Sequence, residues 1–198
     1  RARSQAALNL FTEAIDDFED AIRIEEDHRK LLTPELAGFH RLRGEQRFSD
    51  NEFAAAIEDF QSVEKLDKTM LPLIKSSYSK SHLGLGMLAF QDKKPEAAII
   101  QFTLALGIDS AIPSALVGRG RSQQQLGELE QAGEDFTAAI TMRPADSNVH
   151  ADALLGRAEV AIDLDKPEAA IADLSTATKL VPQPAPELLA RCYTTRAQ

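Results

Sequence analysis

Residues 113–146 read PSALVGRGRSQQQLGELEQAGEDFTAAITMRPAD. Apolar residues recur at helical spacing on both sides of Gly127, which marks a helix, a turn and a second helix. In the second helix Ala132 is followed by Phe136 and then by Ala139, a small–large–small set on one face. The same set returns as Ala14-Phe18-Ala21, Ala56-Phe60-Val63, Ala98-Phe102-Ala105 and Ala170-Leu174-Ala177. Its first members are spaced by 42, 42, 34 and 38 residues. Self-similarity at such a period marks a stacked array, in which each unit buries its apolar face only against its neighbours. The expected fold is all-α, a single solenoid of antiparallel helix pairs over residues 1–198.

The leading helix of each pair carries its own columns. Small residues recur at Gly44, Gly86, Gly120, Ala158 and Cys192, and His40, His82, Leu116, Leu154 and Leu188 each stand one helical turn earlier. Glycine inside a helix costs about 1 kcal/mol relative to alanine. Three glycines in one column therefore point to close approach of two helix backbones. Pro34, Pro95, Pro113, Pro167 and Pro186 fit first turns, with Thr33 as an N-cap, and Pro144 and Pro182 follow helix ends. The expected helices are 1–8, 11–32, 34–48, 51–67, 71–91, 95–107, 113–126, 129–141, 149–163, 167–180 and 186–197. The extra residues of the long steps, near 28–36 and 68–76, are helix-compatible and predict lengthened helices.

With these columns in place, the chain resembles the tetratricopeptide repeat, a helix-turn-helix unit of 34 residues. The unit from Pro113 to Asp146 matches best, with Leu116, Gly120, Gly127, Ala132, Phe136, Ala139 and Pro144 at motif spacing. The implied units are about 1–28, 37–70, 79–112, 113–146 and 151–184, with a terminal helix at 186–197 acting as a cap or marking a truncation. The resemblance implies a right-handed superhelix whose leading helices line a concave groove for a peptide or helix of another protein. Co-chaperones of this family grip an acidic chaperone C-terminus with a clamp of Lys, Asn and Arg on successive leading helices. The corresponding places here hold Arg41 and Glu45, Gly84, then Ser114 and Gly118, so only Arg41 fits and that clamp is not expected.

Composition narrows the function classes. A formal charge of −9 opposes a phosphate backbone, so nucleic acid is disfavoured as a partner. No apolar run reaches the length of a membrane span, and no signal-peptide core opens the chain. The single cysteine excludes an internal disulfide framework and favours a reducing, cytoplasmic setting. The chain opens on Arg1 within a helical pattern, which reads as a mature fragment or an excised domain.

Chemistry is not signalled. His40, His82 and Cys192 fall in packing columns, and His28 and His150 lie elsewhere, so no metal site or other cofactor is expected. No strand precedes a glycine-rich phosphate loop. Arg43, Arg119, Arg157 and Arg191 each precede a small-column residue and are expected to pair with acidic side chains on neighbouring helices. The acidic run from Glu13 to Asp27 reads as a solvated outer face.

What remains is the face of the leading helices turned away from the small column. It carries Arg41, Glu45, Phe48, Lys80, Leu83, Met87 and Phe90, then Val117, Arg121, Gln124, Gln125, Asp152, Leu155, Glu159 and Ile162. Leu83, Met87, Phe90 and Val117, rimmed by Arg121 and Gln124, suit an apolar peptide or amphipathic helix. The expected function is a non-catalytic protein–protein adaptor. The alternatives are a regulatory or substrate-recruiting module of a larger enzyme and a scaffold that self-associates.

Overall fold

The computed structural model describes the backbone of residues 2–24 and 29–181, and side chains from Ala7 onward within them. The elements are α1 (Ala2–Ile24), α2 (Arg29–Ser49), α3 (Phe53–Leu66), α4 (Leu71–Gln91), α5 (Pro95–Ile108), α6 (Pro113–Gln125), α7 (Leu129–Thr141), α8 (Ser147–Asp163) and α9 (Pro167–Leu180). One turn of 3₁₀-helix, Lys68–Met70, leads into α4, and no strand occurs among the described residues. The chain divides into two compact units, residues 1–85 and 86–198, with the boundary inside α4. The terminal helix expected at 186–197, with Arg191 and Cys192, lies outside the described residues.

Most helix ends fall where the punctuation put them. Pro95, Pro113 and Pro167 each open a helix, where a missing N–H costs nothing. The turns inside four repeats share one geometry. Asn51, Lys93, Gly127 and Asp165 have φ of 62°, 58°, 78° and 57°, the left-handed conformation that ends a helix. Glu52, Lys94, Glu128 and Lys166 then donate their N–H to the carbonyls of Arg47, Ala89, Gln123 and Ala161, closing the same capping motif each time. Both long steps lengthen leading helices: α2 and α4 have 21 residues each, against 13 in α6.

The first repeat corrects the sequence reading. Instead of helices at 1–8 and 11–32, α1 runs unbroken from Ala2 to Ile24. Asn9-Leu10 contains neither Gly nor Pro, so nothing stops propagation there. Pro34 is not in a first turn but inside α2, and Thr33 does not cap it: its hydroxyl donates to the Arg29 carbonyl at 2.6 Å. The proline is exposed and near the helix start, so the lost bond falls on a carbonyl close to solvent.

Packing follows the columns. The members of the last four copies, from Ala56 to Ala177, are 0–1% exposed. Each ring lies against a glycine of its own leading helix. A Cβ added at Gly44, Gly86 or Gly120 would stand 2.8, 2.6 or 2.9 Å from Phe60, Phe102 or Phe136. In unit 2 the ring also meets a second glycine, from the next leading helix. Gly118 covers Phe102, with a Cβ position 2.5 Å away, and Gly156 covers Phe136 in the same way. The glycine column is therefore a matter of backbone approach, since no side chain fits between ring and helix.

The arginine column pairs as expected. Arg119 meets Asp135 through Nε and Nη2 at 2.7 and 2.6 Å, and Arg157 meets Asp173 at 2.7 Å through both nitrogens. Each also reaches back to a threonine hydroxyl of the preceding repeat, Thr103 at 3.3 Å or Thr137 at 3.2 Å. One guanidinium thereby ties three successive helices. These aspartates raise the affinity of Arg119 and Arg157 for their protons further, their hydrogen bonds outweighing the opposing effect of burial.

Unit 1 builds the same joint differently. Asp59 is 1% exposed and accepts from three residues. Arg43 donates through Nη2 at 2.8 Å, Arg47 through Nη1 at 2.8 Å, and His40 through Nδ1 at 2.9 Å. An ionised carboxylate only accepts, so the His40 Nδ1 carries the proton in this bond. Burial alone pushes the Asp59 carboxyl up, but the His40 bond and the two guanidinium groups more than offset it and hold it below its ordinary value. His82 also sits in its packing column, 5% exposed beside the Tyr78 ring.

Candidate functional site

The expected groove residues are best followed within each unit. In unit 1, Arg41 and Glu45 lie one turn apart on α2 and form an ion pair at 2.8 Å, so each answers the other's charge. Phe48 packs against Phe53, ring centroids 6.1 Å apart, and Phe53 in turn covers Gly84. Leu83 is half-buried and Lys80 is exposed.

In unit 2 the end of α4, together with α6 and α8, forms a cleft of about 290 Å³. Met87 and Phe90 supply one wall, Val117 and Arg121 another, and Val149 and Asp152 a third. Phe102 closes the floor, reached across Ser114 and Gly118, which carry little or no side chain. A second, wider cleft of about 680 Å³ shares Phe90, Val117, Arg121 and Asp152 and extends past Gln124 and Gln125 to Asp163. The two form one concave surface with an apolar end and a polar end. Helix periodicity explains the wall: Met87 and Phe90, like Val117 and Arg121, lie three or four positions apart and so share a helix face.

Exposure separates anchors from supports. Met87 is 51% exposed, an apolar side chain that the repeats themselves do not cover. Val117 is 9% exposed and belongs to the core of Leu116, Ala132, Phe136 and Ala139, offering the cleft only an edge. Leu155 and Ile162, expected on the open face, pack into the core around Ala158, Ala170 and Leu174, because α9, the second helix of their own pair, covers them.

The polar end is a small network. Arg121 donates to Glu159 and, at 3.3 Å, to the Gln124 amide oxygen, while the Gln124 amide donates to Glu159 at 3.0 Å. The Arg121 guanidinium also lies 5.6 Å from the centre of the Phe136 ring. Asp152 is exposed and makes no hydrogen bond or ion pair among the described residues. The sequence puts Asp152 on this face without assigning it a role, and it does not point to Val149 or Phe102 as cleft residues. Phe102 is 1% exposed, a core position packed under Gly118, so nothing in the sequence points to its lying beneath a cleft.

Among the described residues no three His, Cys, Asp or Glu side chains converge as metal ligands would. No described helix is long and apolar enough to cross a membrane.

Comparison with known proteins agrees with this architecture. The Arabidopsis OM64 TPR domain superposes with a TM-score of 0.56 at 22% identity, over 63% of this chain and 98% of that one. The structure of Pseudomonas aeruginosa pilF gives 0.53 at 14% identity, over 98% and 96% of the two chains. The TPR2AB domain of yeast Sti1, solved as a complex with pHSP90, gives 0.52 at 15% identity, over 96% and 80%. At such identities these likenesses concern the fold alone. No curated protein matches the chain significantly. The sequence model described as tetratricopeptide repeat matches residues 41–115 and 117–185, the spans that hold the ring-and-glycine columns. The chain belongs to the tetratricopeptide repeat family, whose arrays serve as interaction scaffolds and are generally non-catalytic.

Proposed function

We propose that the chain is a protein–protein interaction scaffold that holds a peptide or amphipathic helix of a partner in the unit 2 cleft. The observation that carries this reading is the exposure of Met87 beside Phe90 over an apolar floor, in a concavity of about 290 Å³. An apolar anchor entering such a pocket is how grooves of this kind gain affinity, and polar groups at the edge fix register. The solved complex of yeast Sti1 with pHSP90 supports a protein ligand for this fold in general terms.

The test is selection of peptides from a random display library on the immobilised chain, followed by titration of the enriched peptides. Wild type is expected to bind them at least tenfold more tightly than the double variant Met87→Asp, Phe90→Asp, while circular dichroism shows equal helicity. Peptides that bind that folded variant as well as wild type would place recognition elsewhere on the surface.

A further inference from the structure

The charge of the cleft specifies the chemistry of its occupant. Arg121 is the only cation among the described residues lining the two clefts, and Glu159 and Gln124 already engage it. Its opposite face rests over the Phe136 ring, which leaves little of it for an incoming anion. On the negative side stand Asp152, Asp163 and the Glu159 carboxylate that answers Arg121. Asp152 has no partner among the described residues and lines both clefts, so it sits where the apolar end passes into the polar end. An acidic peptide would meet repulsion here and find no uncommitted cation among the described lining residues. A cation would meet an unpaired carboxylate beside an apolar surface that its aliphatic stem can also cover.

We infer that the cleft takes a protein segment carrying an apolar side chain and, about one helical turn away, a Lys or Arg that pairs with Asp152. This rests on the reading that the cleft binds a protein segment, and it names that segment's chemistry. The apolar residue enters between Met87, Phe90 and Val117 above Phe102, and the cation lies toward α8. Column position makes the preference local: the place that Asp152 holds on α8 is Lys80 on α4 and Ser114 on α6.

The experiment compares two synthetic sixteen-residue amphipathic peptides with the same Leu and Phe face. One carries Lys and the other Glu at the positions flanking that face. Fluorescence anisotropy measures each against wild type, Asp152→Lys, Asp152→Asn and Glu134→Lys. Glu134 is exposed on α7, outside both clefts, and its substitution changes the net charge as much as Asp152→Lys does. The Lys peptide is expected to bind wild type at least tenfold more tightly than the Glu peptide. Asp152→Lys is expected to weaken it fivefold or more, Asp152→Asn by less, and Glu134→Lys by under twofold.

Equal weakening by Asp152→Lys and Glu134→Lys would overturn the inference, because attraction would then follow net charge alone. Preference for the Glu peptide would overturn it too, while leaving a protein-binding cleft in place. Binding of neither peptide, with library selection also empty, would overturn both readings.

Discussion

Units 1 and 2 use the same helix-pair columns and place their charges in opposite ways. Unit 1 directs three donors inward at one carboxylate, with His40, Arg43 and Arg47 all meeting Asp59. Unit 2 meets each clasp carboxylate with a single guanidinium and leaves Asp152 unpaired at the surface. Depth accounts for the number of donors. The side chain of Asp59 is 1% exposed, against 9% for Asp135 and 11% for Asp173. The more completely a carboxylate leaves water, the more of its lone pairs the protein has to satisfy. The ring-and-glycine columns therefore fix how helices pack, and the charges beside them decide whether a unit closes on itself or keeps a group for a partner.

The largest effect that bears on this contrast is loss of the deepest carboxylate. Asp59→Ala strands two guanidinium groups and is expected to cost about 3–5 kcal/mol. Asp173→Ala, where water reaches the single arginine, is expected to cost about 1–2 kcal/mol. Urea unfolding read by hydrogen exchange separately in each unit checks both. Equal losses would mean that burial does not set the difference. Next in size is Gly156→Leu, which drives a side chain into a ring already backed by Gly120. About 1–3 kcal/mol of destabilisation is expected from overpacking, and an unchanged melting temperature would show that the ring retreats freely.

Acid provides a gentler probe of unit 1. The folded-state pKa of Asp59 is lowered, so its stabilisation is fully present above the ordinary carboxylate value near 3.8 and fades as pH falls through the folded-state value. Exchange protection in unit 1 should therefore drop as the pH is taken below about 4. Asp59→Asn, neutral throughout, should lack that step. Persistence of the step in the variant would assign it to another group. The smallest expected effect concerns the turns, the feature both units share. Lys93→Gly relieves a side chain at φ 58°, and a gain of up to about 1 kcal/mol is expected in thermal unfolding. A loss instead would show that the Lys93 side chain makes a contact worth more than the strain.

Most of the architecture was legible because it depends on spacing. Ala132, Phe136 and Gly120 announce themselves by recurrence, and Pro95, Pro113 and Pro167 mark helix starts through a local backbone property. Pro34 misled for the opposite reason: whether a helix passes through an exposed proline depends on tertiary support, which α1 supplies by packing on α2. The clasps were half legible. Arg43, Arg119 and Arg157 were found, but their partners were absorbed into a surface full of carboxylates. A tighter signal was present, because Asp59, Asp135 and Asp173 each stand one residue before the large column member, as each arginine stands one before the small one. Leu155 and Ile162 could not be placed from one helix alone, since what buries them is α9, the partner helix of their own pair.

The ring held between two glycines has a consequence for the speed of folding. In unit 2 the contacts of Phe136 join it to Gly120 and Gly156, only 16 and 20 residues away along the chain. Closing such short loops carries a small entropic cost, and a relative contact order of about 0.1 belongs with helical proteins that fold within microseconds to milliseconds. As unit 2 leaves the ribosome, Phe136 can therefore be enclosed once α8 has emerged, without waiting for distant sequence. The two glycines that look like a weakness in their helices make each aromatic ring available to the nearest nucleus on either side.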